Sequence, residues 1–236
     1  GRHALQSVRT TDLKTPSFSG ARVLAADDSP VNREVVREAL GRLGVEVSLA
    51  ANGAEAVAAV EKGAFDLVLM DCSMPIMDGY AATAAIRKLA DPARANVPVI
   101  ALTAHVEGED KTWKRVGMNS YLTKPFSLAA LAAALGQHLT PNAGAAPATR
   151  EEDARPTLNY AAFDAATLKN LSELSASGDD LVLRSLALFE KHAREEMIRL
   201  ATAFKSRNIQ EIASAAHALK SMSFNLGARM LGEASA

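Results

Sequence analysis

The stretch that decides the fold is Leu67-Val-Leu-Met70-Asp71-Cys-Ser-Met-Pro-Ile-Met-Asp-Gly79. Four apolar residues run up to a carboxylate, and turn-forming residues follow at once. A short apolar run bounded in this way reads as a strand buried on both faces, as a parallel sheet covered by helices requires. Working outward, similar runs occur at Val23–Ala26, Val45–Ala50, Val97–Leu102 and, more briefly, Tyr121–Leu122. Helical patterns lie near residues 30–43, 53–62, 79–89, 107–116 and 127–138. Five successive βα units over residues 21–139 predict a doubly wound parallel α/β domain.

The flanks read differently. Residues 1–20 carry Thr, Ser and Pro without a clear period and are expected to be a linker. Residues 140–157 open with Thr140-Pro-Asn-Ala-Gly-Ala-Ala-Pro and continue with charges and Pro156, the composition of a flexible tether. From residue 158 to 236 no strand signal returns. Helical patterns run near 163–176, 179–204 and 208–226, which predicts an antiparallel helical bundle joined to an independently moving first domain.

Charge excludes some partners. Lys and Arg number 26 against 27 Asp and Glu, so no basic excess points to nucleic acid. Neither half is a charged tail: residues 21–139 hold 12 basic against 14 acidic side chains, and residues 158–236 hold 9 of each. The lone Cys72 rules out an intramolecular disulfide and fits a reducing, cytoplasmic compartment. No apolar run approaches the roughly 20 residues of a membrane helix, so no membrane contact is expected from this segment. The chain begins with Gly1 rather than Met and lacks a secretory signal, so it reads as an excised or processed piece.

Ligands of open parallel sheets bind at the carboxyl ends of the strands. Here those ends carry Asp27 and Asp28, Asp71, Thr103 and Lys124. Three carboxylates in one place repel one another, and one of them takes up a proton unless a cation is near. Mg²⁺ resolves this: it takes oxygen ligands and commonly binds one or two carboxylates plus a phosphate. Thr103 and Lys124 would then hold the oxygens of a phosphoryl group. Phosphoryl transfer asks mainly for positioning and charge neutralisation, and this set supplies both. A single Asp at a strand end is more often a turn or cap residue; the combination is what carries the reading. Cys72 reads as a small packed residue, Tyr121 as switch or core, and Trp113 as interface or packing.

With Asp27-Asp28, Met70–Gly79, Thr103-Ala104 and Lys124-Pro125-Phe126 in place, residues 21–139 resemble the response-regulator receiver family. The resemblance implies a flavodoxin-like (βα)5 fold with Asp71 as phosphoacceptor. It implies Asp28 as a direct metal ligand, Asp27 as a direct or water-mediated one, and the Ser73 backbone carbonyl as another. Thr103 and Lys124 would contact the phosphoryl group, and Tyr121 matches an aromatic that turns inward on activation.

In the last helical pattern, Ile212, Ala216, Leu219, Ser223 and Leu226 form an apolar seam. His217 lies roughly 160° from Leu219 on a helical wheel and is expected to face water. Lys220 and Ser221 share its face, and Ala213 and Ser214 leave room for an approaching partner. A neutral imidazole is a competent nucleophile, and the Lys220 ammonium would screen an incoming phosphoryl group. An exposed helical His is usually only solvated surface, and His138 and His192 are read that way. The string Ala216-His217-Ala-Leu-Lys220-Ser-Met-Ser223-Phe-Asn-Leu-Gly227-Ala228 changes the reading for His217, because it resembles the histidine phosphotransfer (Hpt) family. Phe163-Asp164, Leu188-Phe189 and Asn208 fit as well. Ser221 stands where the family has Gly. The resemblance implies that His217 is phosphorylated by exchange with a receiver docked on its helix. The family continues for one or two more helices after the Gly-Ala, so the bundle is expected to lack its last, C-terminal helix.

The combined reading is a phosphorelay segment from the C-terminus of a hybrid sensor histidine kinase. Its partners are a histidine kinase domain and a receiver, and its parent is open to membrane anchoring. No ATP-binding domain fits into the first 20 residues. Alternatives are a free-standing relay protein, a metal-dependent phosphatase and a non-catalytic adaptor. Thr103, Tyr121, Lys124 and His217 argue against the phosphatase, and the intact acidic set argues against the adaptor.

Overall fold

The computed structural model describes residues 16–103, 112–141, 164–175 and 179–226. Five strands, β1 (Arg22–Ala26), β2 (Glu46–Ala50), β3 (Leu67–Asp71), β4 (Val99–Thr103) and β5 (Ser120–Thr123), form one parallel sheet in the order β2-β1-β3-β4-β5. This is the flavodoxin-like strand order, and the direction of winding reverses between β1 and β3. A crevice therefore opens at the carboxyl ends of those two strands.

Side-chain alternation builds two cores. Val23, Ala25, Leu67, Leu69, Ile100 and Leu102 face α1 (Pro30–Arg42) and α6 (Leu128–Gly136). Leu24, Ala26, Val68, Met70, Val99 and Ala101 face α2 (Gly53–Lys62) and α3 (Gly79–Ile86). Two short helices, α4 (Pro92–Ala95) and α5 (Thr112–Arg115), complete this half; α4 was not expected from the sequence. Ser29 caps α1 through Asn32 N, with Pro30 in the first turn, so the chain turns directly from β1 into α1. Asp78 caps α3 in the same way through Ala81 N at 2.7 Å. Gly79 is required where it stands. A Cβ there would collide with the Asp71 carbonyl oxygen and come within 2.9 Å of Met70 Cγ, so α3 starts hard against the end of β3.

The expected linker boundary at residue 20 needs correction. Phe18 is 1% exposed, donates its N–H to Leu43 O at 2.7 Å and belongs to the first core. A single aromatic in a polar stretch has no period to announce it, yet it is buried with Leu43 and Leu135 in that core. The tether expected over residues 142–157 lies outside the described residues.

The second half supplies α7 (Ala165–Glu173), α8 (Asp179–Ser206) and α9 (Ile209–Leu226). α8 and α9 pack as a hairpin, α7 lies against both, and α8 and α9 also meet α1 of the first half. The expected independence of the two halves is not what is seen. Leu168, Leu171, Leu174, Leu181, Val182, Leu219, Met222 and Leu226 are buried in a core continuous with that of α1 and α6. Fully burying such a side chain contributes roughly 1.5–3 kcal/mol, which outweighs the modest cost of closing a tether. No helix among the described residues is long and apolar enough to cross a membrane.

Candidate functional site

The crevice between β1 and β3 gathers the acidic residues. Asp27 leaves β1 and is 1% exposed; Asp71 ends β3 and is 5% exposed; one oxygen from each of Asp27, Asp28 and Asp71 lies within 4.8 Å of the others. Lys124, just beyond β5, reaches across with its side chain 9% exposed. Its Nζ donates to Asp27 Oδ2 and to Asp71 Oδ2, each at 2.7 Å. Asp27 Oδ1 accepts from Ser29 N at 2.9 Å and Asn32 Nδ2 at 3.0 Å. Asp71 Oδ1 accepts from Ser73 N at 3.2 Å.

One cation does not balance three carboxylates. Burial, and next Asp27, push the Asp28 carboxyl up, while His217 and Lys124 pull it back. Burial lifts Asp71 to about 6, chiefly opposed by Lys124. Asp28 Oδ1 is buried with no hydrogen-bond partner. A buried, unpartnered carboxylate oxygen next to two others is a donor set made for a hard divalent cation, and the residues fit one.

Thr103, half-buried at the end of β4, stands at the same edge of the sheet. Tyr121 does not turn inward. It is 44% exposed and its ring lies 5.5 Å from that of Trp113, at 56°. It is therefore not core, and Trp113 packs beside it. Cys72 is 7% exposed, and burial raises its thiol to about 11, so it packs as a small apolar residue.

His217 is the residue whose placement departs furthest from expectation. It is half-buried rather than turned to water, and its Nε2 lies 3.3 Å from Ser73 O. The buried face of α9 is Ala215, Leu219, Met222, Ser223 and Leu226, so Ile212 and Ala216 are only partly covered. The cause is packing on more than one side, since α9 meets α1 of the receiver half as well as α7 and α8. Ser221 lies beside the receiver half, and its Oγ accepts from Asn32 Nδ2 at 3.0 Å. Lys220 is half-buried and does not line the cleft next to His217. That cleft, about 630 Å³, runs from Asp28, Ser73 and Ile76 to His192, Arg199 and His217. His192 is thus not mere surface, and its Nδ1 lies 3.0 Å from Glu195. His138, in the other half, pairs its Nε2 with Ser120 Oγ at 3.1 Å.

Asn32 escaped the reading of the sequence. It is 2% exposed, and its amide links Asp27 to Ser221. The available signal was a poor helix former set among Val31, Val35 and Val36 in an otherwise apolar face.

The fold and this site define residues 23–136 as a response regulator receiver domain, and the model of that domain matches those residues. Among relatives, the chain is 46% identical over 119 residues to the sensor protein GacS of Pseudomonas syringae pv. syringae, covering 49% of this chain and 13% of that protein. It is 39% identical over 123 residues to the sensor histidine kinase RcsC of Salmonella typhi, covering 52% of this chain and again 13% of the relative. The chain therefore spans only a small part of the length of these kinases. Among solved structures, the receiver domain of sensor histidine kinase PA1611 from Pseudomonas aeruginosa PAO1, which has a magnesium ion coordinated in its active site cleft, is 41% identical. That match covers 51% of this chain and 98% of the other, with a TM-score of 0.47.

Proposed function

We propose that this chain is a two-part phosphorelay segment in which Asp71 accepts a phosphoryl group with Mg²⁺ and exchanges it with His217. We place it in the C-terminal part of a hybrid sensor histidine kinase, on the cytoplasmic side, with a kinase domain as its phosphoryl source. The kinase relatives support that placement. The observation that carries the relay is the seat of His217, with Nε2 3.3 Å from the carbonyl of Ser73, two residues from Asp71.

Asp27, Asp28 and Asp71, with the Ser73 carbonyl, would hold the metal, which when bound neutralises phosphoryl oxygens. Lys124 already touches Asp71 and is placed to hold a phosphoryl oxygen there, with Thr103 at the same edge and Tyr121 proposed to follow by turning inward. For transfer, the neutral imidazole attacks phosphorus in line through the Nε2 lone pair. A P–N bond forms, the P–O bond to Asp71 breaks, and the electron pair returns to the carboxylate. Because the Ser73 carbonyl can only accept, Nε2 carries the proton in that contact; before attack this proton passes to water and Nδ1 takes one up, so that Nε2 presents its lone pair and the phosphorylated ring keeps its proton on Nδ1. Ser221, hydrogen-bonded to Asn32, sets the height of the helix over the site, and Lys220 screens the phosphorylated imidazole from outside the cleft.

The test supplies phosphorylated kinase and Mg²⁺ to wild type, Asp71→Asn and His217→Gln. Acid-labile phosphohistidine is expected on this chain only when both residues are present, and acyl phosphate is expected to persist in His217→Gln. Phosphohistidine at full rate in Asp71→Asn, with no other receiver added, would mean direct phosphorylation of His217 and end the relay reading.

A further inference from the structure

The loop that carries Lys124 is held from two sides. Ahead of it, the backbone N–H of Lys124 donates to Thr103 O at 2.7 Å, which ties the loop to β4. Behind it, Asn170 Nδ2 of α7 donates to Phe126 O at 3.1 Å. Ser127 then caps α6 through Ala130 N, so the Phe126 carbonyl lies just outside that helix. The Phe126 side chain is buried and shares a core with Leu168, Leu171 and Leu174. α7 thus grips the residues after Lys124 by a ring and by a carbonyl.

α7 also closes the crevice from behind. A cavity of about 20 Å³, room for about one water, is lined by Asp27 and Lys124 of the receiver half and by Thr167, Asn170 and Leu171 of α7. The start of α7 is itself fixed: Asp164 Oδ2 accepts from Thr167 N at 3.1 Å and from Thr167 Oγ1 at 2.7 Å, one turn before Asn170. Lys124 Nζ meets Asp27 and Asp71 at 2.7 Å each, at the short end of the range for such bonds, so little slack remains. A lysine is a point charge on a flexible stem, and its ammonium stays on both carboxylates only if its backbone is held. An apolar side chain at position 170 would pack on Phe126 equally well, but would deprive the Phe126 carbonyl of this donor.

We infer that Asn170 is a positioning residue for phosphoryl handling at Asp71: through the Phe126 carbonyl it fixes the loop that aims Lys124, so the receiver site is complete only while α7 is docked behind it. This deepens the relay reading and rests on it. Asn170 acts through Lys124 and not on the reacting atoms. The helical half therefore does more than offer a histidine, because its first helix tunes how readily Asp71 is loaded. Misplacing a catalytic group by about 1 Å costs up to about 10²-fold in rate. Here one end of the loop stays tied to Thr103 O, so loss of the Asn170 donor is expected to cost about tenfold.

The experiment uses the full chain carrying His217→Gln, so that phosphate loaded on Asp71 is not passed on. Acetyl phosphate and Mg²⁺ are supplied, and acyl-phosphate formation is followed against donor concentration; Mg²⁺ affinity is read separately from Trp113 fluorescence. Adding Asn170→Leu is expected to lower the maximal rate about tenfold, while the half-saturating donor concentration and the Mg²⁺ affinity stay as they were. Asn170→Gln keeps an amide donor and restores most of the rate, which a purely packing role would not predict. An unchanged maximal rate in Asn170→Leu, a Gln variant as slow as the Leu variant, or Mg²⁺ affinity falling in step with the rate would each overturn the positioning role while leaving Asp71 as acceptor. Absence of acyl phosphate from the parent chain would overturn the Asp71 reading, and this inference with it.

Discussion

Asp71 is 5% exposed and shares the ammonium of Lys124 with Asp27, whereas His217 is half-buried and meets a single backbone carbonyl, that of Ser73. The first site is assembled from the ends of separate strands of a rigid sheet. The second is one side chain on a helix. In the proposed relay, the contrast would mark where the cost of handling a phosphoryl group is met. The receiver half gathers the charge-neutralising groups in advance, at the expense of burying mutually repelling carboxylates. In the relay proposed above, the helical half would supply a nucleophile and a surface that fits. On this reading His217 gains or loses phosphate quickly only while it is docked against a receiver.

The largest expected effect tests that division of labour. Lys124→Ala removes the ammonium that bridges Asp27 and Asp71, yet leaves all three carboxylates. Metal binding should persist, measured by fluorescence of Trp113 or by calorimetry. Phosphorylation-linked response should fall by about 10²-fold or more, as when a preorganised electrostatic group is deleted. Loss of metal binding together with the response would instead make Lys124 a structural prop of the acidic cluster.

A smaller effect separates packing from chemistry. Leu171 is 2% exposed and lines the seam that α7 makes with Val35, Val36 and Phe126. Leu171→Ala should lower stability by about 2–5 kcal/mol in denaturant titrations. It should also speed hydrogen exchange in α1 on the face under α7. A change below about 1 kcal/mol would mean that the helical half hardly leans on the receiver in solution, and the contrast drawn above would lose its docked state.

The smallest expected effect concerns pH. In the metal-free chain Asp71 titrates near 6 instead of 3.8, because burial outweighs Lys124. The folded pKa lies above the unfolded one, so the folded chain binds more protons between those values. The contribution of Asp71 to stability therefore declines as pH rises from 3.8 through about 6, and the penalty is fully present above that. Carboxyl NMR should show a midpoint near 6, moving down when Mg²⁺ is added. A midpoint at the ordinary value without metal would mean that water reaches the crevice freely.

Much of the receiver was legible because its signals are local. Leu67–Met70 before Asp71, Asp78 before Gly79 and Lys124 after Tyr121-Leu122 each declare a strand, a cap or a strand end from adjacent residues. The fold order and the gathering of Asp27, Asp28 and Asp71 follow from parallel strands needing crossovers. Phe18 was not legible, since one aromatic has no period. The seat of His217 was misjudged for a related reason: a helical wheel assigns one buried face, and α9 packs against α7, α8 and α1.

By itself, then, the sequence determined the elements, the doubly wound class and the residue types at the strand ends, because periodicity and turn chemistry act over a few residues. Only the tertiary structure decided that Asn32 would join Asp27 to Ser221, that Arg184 would face Glu34 and Glu38, and that His217 would come to rest over Ser73. The partners in these contacts across the two halves are separated by 144 to 189 positions in the chain. No local pattern encodes such pairings. They arise when apolar faces of α1, α7, α8 and α9 are buried against one another, and the polar groups left at the rim must find whatever partners that packing brings within reach.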